Sequence, residues 1–174
     1  MMRTLRAQLV GVLRWTCILM FAVLVLVVLW QVFTRQVVGR PSGWTTTIAQ
    51  YLFVWLSLFG LTLVFAERGH VAVDILVDRL PEGARRRIGV LVQAGVALFA
   101  LAALVWGGLR AVGLSWTQVV PGTPLTIGQV YLALPIAGAL IALFALEDLW
   151  RLLRDQELTA TATLDDGIDT SGGV

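Results

Sequence analysis

Four long stretches of the chain contain no charged residue, and this feature constrains the fold more than any other. The stretches are residues 15–34, 41–66, 88–109 and 111–146. A helix needs about 20 apolar residues to cross a hydrocarbon core of roughly 30 Å, because each residue rises about 1.5 Å. A lipid-exposed strand would leave its backbone groups without hydrogen bonds. The sequence therefore predicts an all-α integral membrane protein with four transmembrane helices.

Turn and tail signals set the predicted boundaries of the membrane domain. Pro121 and Pro124 with the intervening Gly and Thr indicate a turn, so the last helix begins at Ile127. The predicted spans are about 15–34, 47–66, 88–109 and 127–146, in one membrane domain of residues 1–154. Residues 155–174 hold five acids and no base, which is typical of a disordered tail. A signal peptide is the alternative for the first span, but the apolar run is long and no A-x-A site precedes Arg35, which favours a retained anchor.

The arginines predict the orientation, because cytoplasmic loops of membrane proteins carry an excess of basic residues. All 13 basic residues are arginines. The N-terminus, the segment between the second and third spans, and the C-terminus together hold ten of them. The opposite side has only Arg35, Arg40 and Arg110. We therefore expect a multi-pass membrane protein with both termini in the cytoplasm.

Six of the seven tryptophans lie near predicted span ends, where amphipathic rings prefer to sit. Trp55 is the exception, well inside the second span. Two interpretations of Trp55 remain open: an aromatic residue that faces lipid or the core, or an anchor against another membrane subunit.

The segment between the second and third spans is the main polar cluster. Glu67, His70, Asp74 and Asp78 follow helical spacing, and apolar residues occupy the opposite face. The pattern predicts an amphipathic cytoplasmic segment at the membrane surface, ended by Pro81. One histidine with two carboxylates could ligate zinc, but such clusters are more often solvated ion networks, so we predict no metal site.

Several functions of four-helix membrane proteins are disfavoured by missing residues. Cys17 is the only cysteine, so a quinone-linked disulfide oxidase is excluded. The only histidine, His70, lies outside the spans, which argues against a haem-binding bundle. No predicted span contains the carboxylate that proton-coupled exporters use. With a net charge of only +2, nucleic acid is not an expected partner. We expect neither catalysis nor a cofactor in this chain.

Three segments of the chain carry a recognisable pattern. They are RQVVGRPSGW at 35–44 with YLFVW at 51–55 and FG at 59–60, ERGHVAVD at 67–74 with RLP at 79–81, and PLTI at 124–127 with YLALP at 131–135. Together they resemble the small (Q-type) membrane subunit of tripartite ATP-independent periplasmic (TRAP) transporters, and this resemblance implies a location in the bacterial inner membrane. The family usually has acids shortly after the tryptophan and an arginine before the tyrosine. Here Thr45, Thr46, Thr47 and Gln50 take those places, so the role of that charge pair does not carry over.

The resemblance implies a division of labour. A periplasmic solute-binding protein delivers a carboxylate-type solute, a large membrane subunit imports it with sodium ions, and the small subunit supports and anchors the large one. Membrane lipid is a further expected partner. The candidate subunit interface comprises Trp55, Glu67, Arg68, His70, Asp74 and Arg79. The candidate residues for periplasmic docking or lipid anchoring are Arg35, Arg40, Trp44 and Arg110. The alternative function is a free-standing small channel or exporter that acts as an oligomer.

Overall fold

A computed structural model of the chain describes residues 2–39, 43–68 and 82–169. Its helices, in chain order, are α1 (Met2–Phe33), α2 (Gly43–Arg68), α3 (Glu82–Phe99), α4 (Gly108–Ser115), α5 (Ile127–Tyr131) and α6 (Ala133–Asp169). Two π-helical segments add to them: Thr34–Val38 follows α1, and Ala100–Gly107 joins α3 to α4.

The described helices form four spans that are long and apolar enough to cross a membrane, which confirms the predicted all-α fold. They are span 1 (Arg6–Val37), span 2 (Gly43–Glu67), span 3 (Arg87–Ser115) and span 4 (Ile127–Arg154). Each extends beyond the uncharged stretch from which it was predicted and includes flanking charged residues. In span 1, two of these charged residues, Arg6 and Arg14, pair with acids of neighbouring spans, so the helix continues through them.

The spans pack in the order 1–2–4–3. Span 2 lies between spans 1 and 4, and span 4 lies between spans 2 and 3, whereas span 1 packs chiefly against span 2. Half of the apolar stretch of span 4 is buried inside the protein, compared with 11% for span 1. The arrangement is therefore open, with span 4 as its most enclosed helix and span 1 at one edge.

Small residues allow spans 3 and 4 to approach closely. A Cβ atom on Gly138 would lie 2.5 Å from the Cβ of Leu104, and one on Gly108 would lie 2.9 Å from the Cδ of Pro135. Ala100 is fully buried in the same interface. Without a hydrophobic driving force between helices in lipid, such close backbone approach is a main source of helix association.

The connection between spans 3 and 4 is a hydrogen-bonded turn. Val120 N–H donates to the Leu125 carbonyl at 2.9 Å, and Gly122 takes a left-handed conformation with φ 76°. Thr126 then caps α5: its hydroxyl oxygen accepts from Gln129 N–H, while the Gln129 side chain accepts from Thr126 N–H. This capping box fixes the start of the helix at Ile127, as the sequence predicts.

Two predicted segments fall at the limits of the described residues. The amphipathic segment between the second and third spans lies almost entirely in 69–81, outside the described residues. At the C-terminus, α6 continues to Asp169, beyond residue 154, where the membrane domain was predicted to end. The domain boundary at 154 and the disorder of the tail stay predictions.

A buried charge cluster as the candidate functional site

Arg6 connects three spans at one end of the protein. Its Nη1 atom lies 2.5 Å from Asp148 Oδ1 on span 4, and its Nη2 atom donates to the backbone carbonyl of Ala66 on span 2 at 2.9 Å. Glu147 Oε2 is 3.7 Å from the same Nη1. The side chain of Asp148 is 1% exposed and that of Arg6 is 14% exposed. One guanidinium therefore joins the N-terminal end of span 1 to the adjoining ends of spans 2 and 4.

Arg151 completes the group, which we call the charge cluster: Arg6, Glu147, Asp148 and Arg151. Arg151 lies one turn after Glu147 on α6 and forms an ion pair with it. Two arginines thus face two carboxylates, so the cluster is electrically balanced. A buried charge is stable only when it is paired and hydrogen-bonded, and this pairing permits α6 to carry two acids in succession.

A second ion pair lies near the charge cluster but is exposed. Arg14 Nη2 is 2.5 Å from Glu67 Oε1, and the two side chains are 59% and 39% exposed. Exposed ion pairs contribute about 0–1 kcal/mol. The charge cluster, rather than this pair, is therefore the stronger electrostatic link between the spans.

Gln93 is a buried polar residue of span 3. It is 4% exposed, and its Nε2 has no hydrogen-bond partner within the part of the chain that the structure describes. Ala100 packs in one core cluster with Ile141 and Ala142. Continuing this antiparallel register by two helical turns, about seven residues, places Gln93 at the level of Asp148.

The described members of the predicted interface lie at different places along span 2. Trp55 is half-buried and packs edge-on against Phe59 at 5.5 Å between ring centroids. Glu67 lies at the end of span 2 and is exposed, and Arg68 is the last residue of α2. His70, Asp74 and Arg79 lie outside the described residues. The proposed interface role of this set stays a prediction.

The predicted docking or anchoring residues lie toward the opposite end of the spans. Arg35 is exposed in the π-helical segment after α1, and Trp44 is 45% exposed at the start of α2. Arg110 lies with its guanidinium 5.5 Å from the ring centroid of Trp106, a cation–π contact. Arg40 lies outside the described residues. Docking and anchoring also stay predictions.

The charge cluster was not predicted from the sequence. The last span was predicted to end at residue 146, just before Glu147, and Arg6 counted only as a cytoplasmic charge. The available signal was the pattern of Glu147 and Asp148 followed by Arg151 on one helical turn, opposite an arginine ahead of span 1. The cluster joins spans 1, 2 and 4 by ion pairs, by the hydrogen bond to the Ala66 carbonyl and by a cation–π contact of Arg6 with the Phe144 ring at 5.6 Å, which suits a structural link between helices.

Comparison with known proteins identifies the family. Residues 24–155 match the model of the DctQ component of tripartite ATP-independent periplasmic transporters. The chain belongs to this family. It is a TRAP small permease subunit, a non-catalytic transport component of the inner membrane that works with a large permease subunit and a periplasmic binding protein.

Curated relatives agree with this identification. The chain is 25% identical over 135 residues to the sialic acid TRAP transporter small permease protein SiaQ of Vibrio cholerae, covering 78% of each chain. It is 29% identical over 142 residues to a putative TRAP small permease of Haemophilus influenzae, covering 82% of this chain and 88% of the relative. It is also 32% identical to part of the isethionate TRAP permease protein DctMQ of Oleidesulfovibrio alaskensis, over 64% of this chain and 18% of that protein.

Proposed function

We propose that this small subunit is a fixed scaffold for the large permease subunit, in a transporter that imports carboxylate-type solutes with sodium ions. One observation carries the scaffold role. In the described part of the spans, the buried charged side chains gather at one end, where they pair with each other. An ion-coupling site normally lies near the bilayer midplane and needs polar groups free to bind the ion. The paired charge cluster is unsuited to that task.

The packing order supports the same role. Neighbouring helix axes are separated by about 8–10 Å, so the axes of the two outermost spans in the order 1–2–4–3 are at most about 30 Å apart. The charge cluster and the close packing of spans 3 and 4 hold these helices to each other. Such an assembly offers a stationary neighbour for a permease whose transport domain moves.

Transport assays in liposomes test this proposal. The purified small subunit alone should move neither solute nor sodium. Uptake should require the large subunit, the loaded binding protein and an inward sodium gradient, with liposomes lacking the small subunit as the matched control. Solute uptake by the small subunit alone would instead support a free-standing channel or exporter.

The proposed orientation places both termini in the cytoplasm, as the arginine count predicts. The structure is compatible with four crossings, which put the two termini on the same side. Reporter fusions after Trp44 and Gly122 should be periplasmic, and fusions after Gly83 and Gln156 should be cytoplasmic. A cytoplasmic signal at Trp44 or Gly122 would overturn the assignment.

The segment after span 2 is the proposed contact with the large subunit. Replacing His70 and Asp74 together by alanine should weaken co-purification with the large subunit if the polar face docks there. Arg154→Gln is the matched control, since it removes one exposed charge that lies outside the candidate interface. Unchanged co-purification of the His70 and Asp74 variant would exclude this contact.

A further inference from the structure

Gln93 carries a buried hydrogen-bond donor that the fold leaves unused. Its side chain is 4% exposed, and Nε2 has no hydrogen-bond partner among residues 2–39, 43–68 and 82–169. A buried polar group without a partner costs free energy, so such groups are few in folded proteins and each calls for an explanation. The amide of Gln93 is therefore available to an acceptor that lies close to it.

The contacts between spans 3 and 4 determine which residues face Gln93. A Cβ atom on Gly138 would lie against Leu104, and one helical turn away Ala100 packs with Ile141. Each step back along span 3 is therefore matched by an equal step forward along span 4, as in any antiparallel helix pair. Within the described residues, α3 packs against α6 and the π-helical segment that follows it. Span 4 is thus the wall that the inner face of α3 meets.

Two further turns of this register place Ala97 opposite Ala145 and Gln93 opposite Asp148. Positions 93, 97 and 100 share one face of span 3, and positions 141, 145 and 148 share one face of span 4, because residues three and four apart are neighbours on a helix surface. Ala97 and Ala145 are 4% and 0% exposed, and their small side chains let the two helices approach closely at this level. Asp148 therefore lies across the same interface from the unused amide.

Asp148 is held from another side by Arg6, a residue of the helix at one edge of the array. Arg6 Nη1 lies 2.5 Å from Asp148 Oδ1. The apolar stretch of span 1 is only 11% buried, and span 1 packs chiefly against span 2. A shift of the end of span 1 away from span 4 would withdraw the guanidinium from a carboxylate that is 1% exposed.

We infer that Gln93 is a reserve donor for Asp148, which hydrogen-bonds the carboxylate when Arg6 withdraws. The exchange requires side-chain rotation of Gln93, because the two residues already face each other across the interface. Hydrogen bonds to an ionised group are stronger than those between neutral groups, so the amide recovers part of the stability lost with the cation. The two donors form a conformational device: span 1 can shift at this end while span 3 keeps the buried carboxylate hydrogen-bonded.

Unfolding of the full-length subunit by dodecyl sulfate in mixed micelles tests the inference. Gln93→Leu is introduced into the wild type, into Arg6→Met, and into the double variant Arg6→Met with Asp148→Leu. In the wild type it should leave the unfolding equilibrium constant unchanged or lower it. In Arg6→Met it should raise this constant about tenfold, the effect of one hydrogen bond to a charged group. In the double variant the acceptor is gone, so this increase should vanish.

Gln118→Leu is the matched control, because Gln118 is exposed beyond the end of span 3, and it should have the same effect in all three backgrounds. If Arg6→Met does not refold, Arg6→Lys replaces it, since lysine keeps the charge without the second nitrogen that bonds the Ala66 carbonyl. Gln93→Leu should again raise the unfolding constant more than in the wild type. Equal effects of Gln93→Leu with and without Arg6 would overturn the inference. An increase that persists after Asp148→Leu would do so too, because another group would then be the acceptor.

Discussion

The connection between Arg6 and the two acids of α6 gives the sharpest test of how the spans are held together. Arg6→Met keeps most of the side-chain length but removes the guanidinium that contacts Glu147, Asp148 and the Ala66 carbonyl. Because Asp148 is 1% exposed, this change leaves a buried carboxylate without that cation. Removing one partner of a buried ion pair costs about 3–5 kcal/mol, and we expect Arg6→Met to lower the free energy of unfolding by this amount.

Other substitutions in the charge cluster should follow an order set by the contacts. Asp148→Asn should lower the free energy of unfolding less than Arg6→Met does. In the Asp148→Asn variant, Arg6 retains its contacts with Glu147 at 3.7 Å and with the Ala66 carbonyl. The double variant Arg6→Met with Asp148→Leu should recover much of the loss, because it replaces both charges by apolar groups. The exposed pair provides the control: Glu67→Gln should cost at most about 1 kcal/mol.

The assay is reversible unfolding of the purified subunit in mixed micelles titrated with dodecyl sulfate, followed by helical circular dichroism. The free energies of unfolding of wild type, Arg6→Met, Asp148→Leu and the double variant of these two substitutions form a double-mutant cycle. A coupling energy near zero would refute the reasoning, as would an Arg6→Met variant no less stable than Glu67→Gln. Either result would mean that solvent or detergent reaches the cluster and that its burial contributes little.

Three further predictions follow from packing and charge. Gly138→Ala should destabilise the fold by about 1–3 kcal/mol, because its new Cβ would overlap Leu104, whereas Gly113→Ala, with open space around it, should be tolerated in the same unfolding assay. Gln93→Leu should be neutral or stabilising by up to about 1 kcal/mol, because it removes a buried amide nitrogen without a partner; a large loss would show that the amide is hydrogen-bonded. Arg40→Glu should slow uptake at limiting binding protein in low salt, with a defect that shrinks as salt rises; equal rates at both ionic strengths would exclude a docking role.

The number and type of the spans could be predicted from the sequence because an uncharged run of about 20 residues has few alternatives in a bilayer. The start of the last span at Ile127 was also accessible, since Thr126 and Gln129 form a local capping box. Local signals of this kind depend only on residues a few positions apart.

The charge cluster depends instead on which helix ends meet. Arg6 and Asp148 are separated by 142 positions, and no local pattern specifies that they face each other. A rule that treats each charged residue as the end of a span places both outside the protein core. The π-helical segment Ala100–Gly107 was likewise not anticipated, because its sequence ALAALVWG is compatible with an ordinary α-helix.

The separation of Arg6 from Asp148 has a consequence for synthesis. Spans 1 and 2 are adjacent both in sequence and in space, so they can pair as soon as span 2 leaves the ribosome. Arg6 can then reach the Ala66 carbonyl, but its carboxylate partners do not yet exist. The ion pair closes only after α6 has been made, and until then the guanidinium must stay hydrated at the membrane surface. A nascent chain that stops before Glu147 would therefore hold its first hairpin in the bilayer while Arg6 remained in water.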